Sequence, residues 1–309
     1  NTYCGNTAPP KPMACGNGST NGLCSCDMDV SSGGVLVAPA LYKYNGNKVV
    51  INADKQSNIY VANQANLGGQ NNNGGNNIQV IQTPTPTGTP YTNCNQKQQY
   101  YQGYWASPAY WHDGTDSIDW LFYAATDPLA SDPAIPMYGF QLATIGTSGP
   151  VPASPSATTN MGPNENVAFC NFAPTPSVSS NGTSDSSGIV WAIETPNGHN
   201  PRHCDGTPSN IAVLHAFCAT TVNHTGNPCG NGGGTGTGTA LTQLYVSTQN
   251  VSTTPISKPV PFLPPVIFNG LVFMGTAVEL TQPPKTQIGT AEVDVFGPCS
   301  VNPNSTCKP

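Results

Sequence analysis

The sequence predicts an all-β fold built from repeated antiparallel sheets, and three observations predict it. Gly and Pro supply 33 and 31 of the 309 residues. Pro lacks a backbone donor and Gly costs entropy inside regular elements, so both suit short strands joined by turns. Charged residues make up only 8% of the chain, against roughly 25% in an average soluble protein. The polar surface therefore falls to Asn, Thr, Ser and Gln. Finally, one plan of apolar runs around an Asn-Gly or Asp-Gly pair recurs four times. The 12 Tyr, 9 Phe and 4 Trp lie in compact runs, which a disordered chain would lack.

The first unit reads Ala38-Pro39-Ala40-Leu41-Tyr42, Asn45-Gly46, Val49-Val50-Ile51 and Asn58-Ile59-Tyr60-Val61-Ala62. The second reads Ser107-Pro108-Ala109-Tyr110-Trp111, Asp113-Gly114, Trp120-Leu121-Phe122-Tyr123-Ala124 and Met137-Tyr138-Gly139-Phe140. The third reads Thr175-Pro176-Ser177-Val178, Asn181-Gly182, Gly188-Ile189-Val190-Trp191-Ala192-Ile193 and Ala212-Val213-Leu214-His215-Ala216-Phe217. The fourth reads Pro264-Pro265-Val266-Ile267, Asn269-Gly270, Leu271-Val272-Phe273-Met274-Gly275 and Ala291-Glu292-Val293-Asp294-Val295-Phe296. The turn pairs are spaced 68, 68 and 88 residues apart, the longer interval holding the low-complexity stretch from Gly230 to Gly238. Pro is tolerated at a strand start, and Asn-Gly or Asp-Gly supplies the positive φ values of a type I′ hairpin. One such sheet cannot bury both faces alone. Stacking sheets around an axis does so, which predicts β-propeller blades, each a four-stranded antiparallel sheet. The expected organisation is a Cys-rich segment over 1–26, blades over 27–298 and a Cys-containing tail over 299–309.

These units resemble the pyrroloquinoline-quinone-like (PQQ-like) β-propeller repeat family in its secreted members. The resemblance rests on Asp29-Val30-Ser31-Ser32-Gly33-Gly34 before Val35, on Asp54-Lys55-Gln56-Ser57-Asn58-Ile59-Tyr60-Val61, on Gly188 to Glu194 with Ala212 to Phe217, and on Pro265 to Gly275 with Glu292 to Gly297. It covers about residues 27–298. It implies a seven- or eight-bladed ring, of which four blades are visible, and hence a partner: another chain, a second copy, or a cleaved N-terminal part. It also implies an alternative activity, a PQQ-dependent oxidoreductase using the quinone and a calcium ion. The adjacent-cysteine pair of the alcohol-oxidising members is missing, because Ser25 separates Cys24 from Cys26.

Eleven cysteines without metal-ligand spacing point to disulfides and an oxidising compartment. Cys299 with Cys307, and Cys218 with Cys229 at the base of the Gly-rich insert, are the expected local pairs. An odd count leaves one cysteine free or joined to another chain. The chain begins with Asn1 and shows no apolar leader, so a processed secreted or cell-surface form is expected. No apolar run approaches the ~20 residues of a membrane helix. Sequons at Asn17, Asn181, Asn223, Asn250 and Asn304 are glycosylation candidates. The net charge of −6 and a single arginine, Arg202, exclude a phosphate-binding stripe, so no nucleic-acid partner is expected.

Candidate chemistry is sparse. Asp27, Asp29 and Asp54 form the best acidic cluster in sequence and are the calcium candidates, although such residues more often cap turns. His199, His203 and Cys204 crowd one loop, but Cys204 is better placed in a disulfide. Period two places Glu194 and Asp294 at a strand edge or on a solvated face, and His215 in an apolar strand with its ring satisfied. No catalytic constellation is found. The leading expectation is a non-catalytic extracellular scaffold, binding or assembly subunit. A glycan-binding module is a third reading, suggested by Tyr100, Tyr101, Tyr104 and Trp105, with core packing the commoner role for such a run.

Overall fold

The computed structural model describes residues 32–54, 58–67, 77–82, 103–126, 136–146, 149–160, 169, 173–182, 187–194, 212–221, 229, 240–247, 258–260, 263–277 and 291–297. The described part is all-β, with no α-helix.

The first sheet is a four-stranded antiparallel meander: β1 (Val35–Val37), β2 (Val49–Ala53), β3 (Asn58–Asn63) and β4 (Asn77–Gln82). Alternation in β2 buries Val49, Ile51 and Ala53 and turns Val50 and Asn52 to the other face. The second unit holds β5 (Gly103–Tyr104), β6 (Ala109–Asp113), β7 (Ile118–Thr126), β8 (Met137–Leu142) and β9 (Ala157–Asn160). Strands β5 and β6 both pair with β7, at its two ends, with Pro108 between them. The third unit holds β10 (Ser177–Ser179), β11 (Ile189–Glu194), β12 (Val213–Cys218) and β13 (Ala240–Val246), paired in that order. The fourth holds β14 (Lys258–Pro259), β15 (Val266–Phe268), β16 (Leu271–Ala277) and β17 (Ala291–Phe296). Here β14 and β15 share one side of β16, as β5 and β6 share one side of β7, and β17 lies on the other side.

Four separate four-stranded sheets were expected, and the described strands form three sheets. Strands β9 and β13 pair in parallel, Ala240 to Thr242 against Thr158 to Asn160, and this joins the second and third units into one nine-stranded sheet. Each of the two would otherwise be an edge with unpaired backbone groups, and the pairing satisfies them.

The hairpin expectation holds at two of its four positions. Asn45 and Gly46 have φ of 47° and 78°, and Asn269 and Gly270 have 50° and 76°, as a two-residue I′ turn requires. Asp113-Gly114 is different: Asp113 is still paired, to Ile118, and the loop runs from Gly114 to Ser117 with its positive φ at Ser117. The Asp113 carboxylate accepts a hydrogen bond from the Thr115 amide at 3.1 Å, which stabilises this longer loop. At the third position the last paired residues are Ser179 and Ile189, so Asn181-Gly182 opens a longer connection.

Three apolar gaps separate the units. The first gap packs Val49, Ile51, Ile59 and Val61 against Leu121, Tyr123 and Phe140. The second packs Trp111, Trp120 and Phe122 against Val190, Phe217 and Leu241. The third packs Ile193 and Leu214 against Val272 and Met274. Strand β7 sends alternate residues into two gaps, which is why its sequence reads as a continuous apolar run. Gly188 is required by the second gap: a Cβ there would lie 2.6 Å from the Trp111 ring.

Candidate functional site

Among the described residues, two clusters bring a carboxylate and an imidazole together. The first straddles the β6–β7 hairpin. Tyr110 and His112 lie two apart on β6 and share a face, and His112 sits directly across from Asp119. The Asp119 carboxylate is buried. Its Oδ1 accepts the Tyr110 hydroxyl proton and lies 2.9 Å from His112 Nδ1. The His112 side chain is 33% exposed, so its ring reaches solvent. Tyr42 packs near Tyr110, with ring centroids 6.4 Å apart, and donates to the Ala143 carbonyl at 2.7 Å. Burial, then the hydrogen bond to Asp119 and its charge, hold the Tyr110 phenol far above its ordinary value of 10.0. Burial first, then Asp119, does the same to Tyr42.

The second cluster lies in the second gap. Glu194 ends β11 and His215 lies on the neighbouring β12, both buried. His215 Nε2 is 3.0 Å from Glu194 Oε2, and Gln243 Nε2 donates to His215 Nδ1 at 3.1 Å. Nδ1 therefore accepts, which leaves Nε2 as the protonated nitrogen that donates to Glu194. The ring stacks beside Phe217 at 14° and meets Phe169 edge-on at 84°. Glu194 was expected at a strand edge or on a solvated face. The correction follows from packing: the second unit covers that face, and the paired strand β12 of the same unit sets His215 within reach.

The calcium candidates divide. Asp27 and Asp29 lie outside the described residues. Asp54 is buried, and its carboxylate accepts hydrogen bonds from the Asn58 amide at 2.9 Å, the Asn58 side chain at 2.9 Å and the Tyr60 hydroxyl at 2.6 Å. It caps the β2–β3 turn with both oxygens. A hard cation needs several converging oxygens. Among the described residues no three His, Cys, Asp or Glu side chains converge in that way. The described carboxylates therefore do not fit the calcium and quinone that the family resemblance implies.

Cys218 and Cys229 are disulfide-bonded, with Cα atoms 5.3 Å apart across 11 residues. Both are buried beside the second gap. Cys299, Cys307, His199, His203 and Cys204 lie outside the described residues, as do Asn17, Asn223, Asn250 and Asn304. Asn181 is exposed in the β10–β11 turn, where its amide donates to Ser187 Oγ at 3.0 Å. Tyr104 is fully buried against Tyr123, centroids 4.7 Å apart, and so is closed to a sugar ring. Tyr100 and Tyr101 lie outside the described residues, and Trp105 is half-buried. No helix among the described residues is long and apolar enough to cross a membrane.

Chemically, the first cluster offers one solvent-reachable imidazole oriented by a carboxylate. Among the described residues it lacks a Ser, Thr or Cys nucleophile hydrogen-bonded to that ring. The second cluster is closed to water and ties strands together. No family model, curated protein or solved structure matches the chain.

Proposed function

We propose that the chain is a non-catalytic β-propeller segment that serves as an extracellular scaffold or assembly subunit. One observation carries the reading: four antiparallel units stack face to face through three apolar gaps, and the Glu194–His215 pair lies closed within that stack as a strand tie. A row of twisted sheets joined by their faces is the construction principle of a propeller. The four-fold sequence plan and the PQQ-like resemblance agree with it, and the Cys218–Cys229 disulfide suits a secreted protein. Among the described residues, the buried carboxylates of Asp54, Asp119 and Glu194 are engaged with Tyr110, His112, Asn58, Tyr60 and His215.

The test is spectroscopic and kinetic. Purified protein should show no quinone absorbance in the near-ultraviolet. Addition of the quinone with calcium should produce no dye-linked oxidation of alcohols, aldehydes or sugars. Stoichiometric quinone uptake with turnover would overturn the scaffold reading in favour of an oxidoreductase.

A further inference from the structure

The two middle units are covered on both faces, whereas the first and last are covered on one. The outer face of the first sheet carries Val35, Val37, Val50, Tyr60 and Val80 in cross-strand rows, with Asn52 between Val35 and Tyr60, and Val35, Val37 and Val80 are each at least 50% exposed. The outer face of the last sheet carries Val266, Phe268, Phe273, Val293 and Val295, and its exposed members range from 53% to 71%. Charge on the described positions of these faces stays at their margins: Lys258 pairs with Ala277 at one side of the last sheet, and the Asp54 carboxylate accepts from the Tyr60 hydroxyl at the end of the first. Contiguous apolar surface of this kind marks an interaction site.

We propose that these two faces meet each other between two copies of the chain, the last sheet of each copy packing on the first sheet of the other. This rests on the propeller reading above and names its partner. A second copy brings the face that continues the stacking at each end. A two-fold pairing covers both ends with two identical contacts and closes an eight-unit ring. Area favours closure over an open chain of copies. At a rise of ~3.3 Å per residue and a strand spacing of ~4.8 Å, one such face covers roughly 300 Å². A single contact then buries about 600 Å² over both partners, half of the ~1,200 Å² at which specific interfaces begin, and two contacts made together reach it.

Sedimentation velocity on the full chain should give twice its mass of 32.1 kDa. Val37→Lys and Phe268→Lys, one on each face, should each give monomers with an unchanged strand spectrum. If either lysine variant fails to fold, Val37→Thr and Val295→Thr replace them, each expected to raise the dimer Kd about tenfold. A monomeric native chain would overturn the proposal and point to another occupant of the faces. A dimer indifferent to all four substitutions, or polymers that grow with concentration, would overturn it equally. Those outcomes leave the scaffold reading standing, while quinone-dependent turnover would remove that reading and leave the dimer untouched.

Discussion

Among the described residues a carboxylate meets an imidazole twice, and the two meetings differ in their access to water. Asp119 and His112 are 2.9 Å apart near the second unit's hairpin, where the imidazole stays 33% exposed. Glu194 and His215 are 3.0 Å apart inside the second gap, where the imidazole is 2% exposed and Gln243 occupies its other nitrogen. In a low-dielectric interior a satisfied polar pair is strong and an unsatisfied partner is costly. Water replaces a lost partner at the rim but not in the gap. The same pair of groups is therefore a strand tie in one place and a solvent-reachable, adjustable contact in the other.

The sharpest way to break this comparison is to remove Glu194. In Glu194→Ala the His215 Nε2 proton is left buried without its acceptor. Loss of one member of a buried pair costs about 3–5 kcal/mol. Glu194→Gln keeps a carbonyl acceptor for that proton and should cost about 1 kcal/mol. Urea unfolding of both variants measures the difference. A Glu194→Ala variant as stable as Glu194→Gln would show that the two clusters are not distinguished by burial.

Asp119→Asn probes the other cluster through its tyrosines. Burial raises the phenols of Tyr42, Tyr110, Tyr123 and Tyr138, and Asp119 adds to the rise at Tyr42 and Tyr110 only. A phenol raised in the folded state contributes stability that is fully present below its unfolded value, 10.0, and is lost as pH climbs above it. Alkaline unfolding is therefore expected above pH 10, with the phenolate absorbance of these residues appearing together with loss of the strand spectrum. Removing the negative charge in Asp119→Asn lowers the phenol values of Tyr42 and Tyr110, so their ionisation starts at lower pH, at a stability cost of about 1–2 kcal/mol. Tyr123 and Tyr138 are buried without that neighbour and should keep their behaviour. An unchanged alkaline titration in Asp119→Asn would remove Asp119 from the account.

Much of the fold is legible in the sequence for a local reason. Asn45-Gly46 and Asn269-Gly270 carry their own turn chemistry, and the apolar runs Val49-Val50-Ile51 and Val272-Phe273-Met274 beside them read as strands, although which face each buries is settled by the neighbouring sheet. The ionisable clusters are not legible in this way, because they depend on register and on neighbouring strands. A two-residue turn at Asp113-Gly114 would set His112 opposite Thr115. The loop from Gly114 to Ser117 sets it opposite Asp119. The Asp-Gly dipeptide is the same signal in both cases, and the Thr115 amide bond to Asp113 decides between them. Glu194 was misplaced for a related reason: its strand alternation is clear, yet the cover over its face comes from Phe169, His215 and Phe217, distant in sequence or on another strand. The β9–β13 pairing is illegible for the same cause, since parallel contact between outer strands leaves no turn between them.

The smallest expected effect belongs to His112, and it sharpens the comparison most cleanly. In His112→Ala the Asp119 carboxylate keeps the Tyr110 hydroxyl as a donor. Water can reach the side vacated by a ring already 33% in solvent. The pair joins neighbours across a hairpin with its imidazole at the solvent rim, where such a contact is worth about 0.2–1 kcal/mol. The variant should therefore unfold within about 0.5 kcal/mol of the native chain, in the range of ordinary surface substitutions. His215→Ala removes the same imidazole from the same kind of strand, but it strips Glu194 and Gln243 together and opens space between Phe169 and Phe217. If the two alanine variants lost equal stability in parallel urea titrations, solvent access would not be what separates the two clusters. A small loss at His112 beside a large one at His215 would trace the difference to the face that the third unit buries against the second.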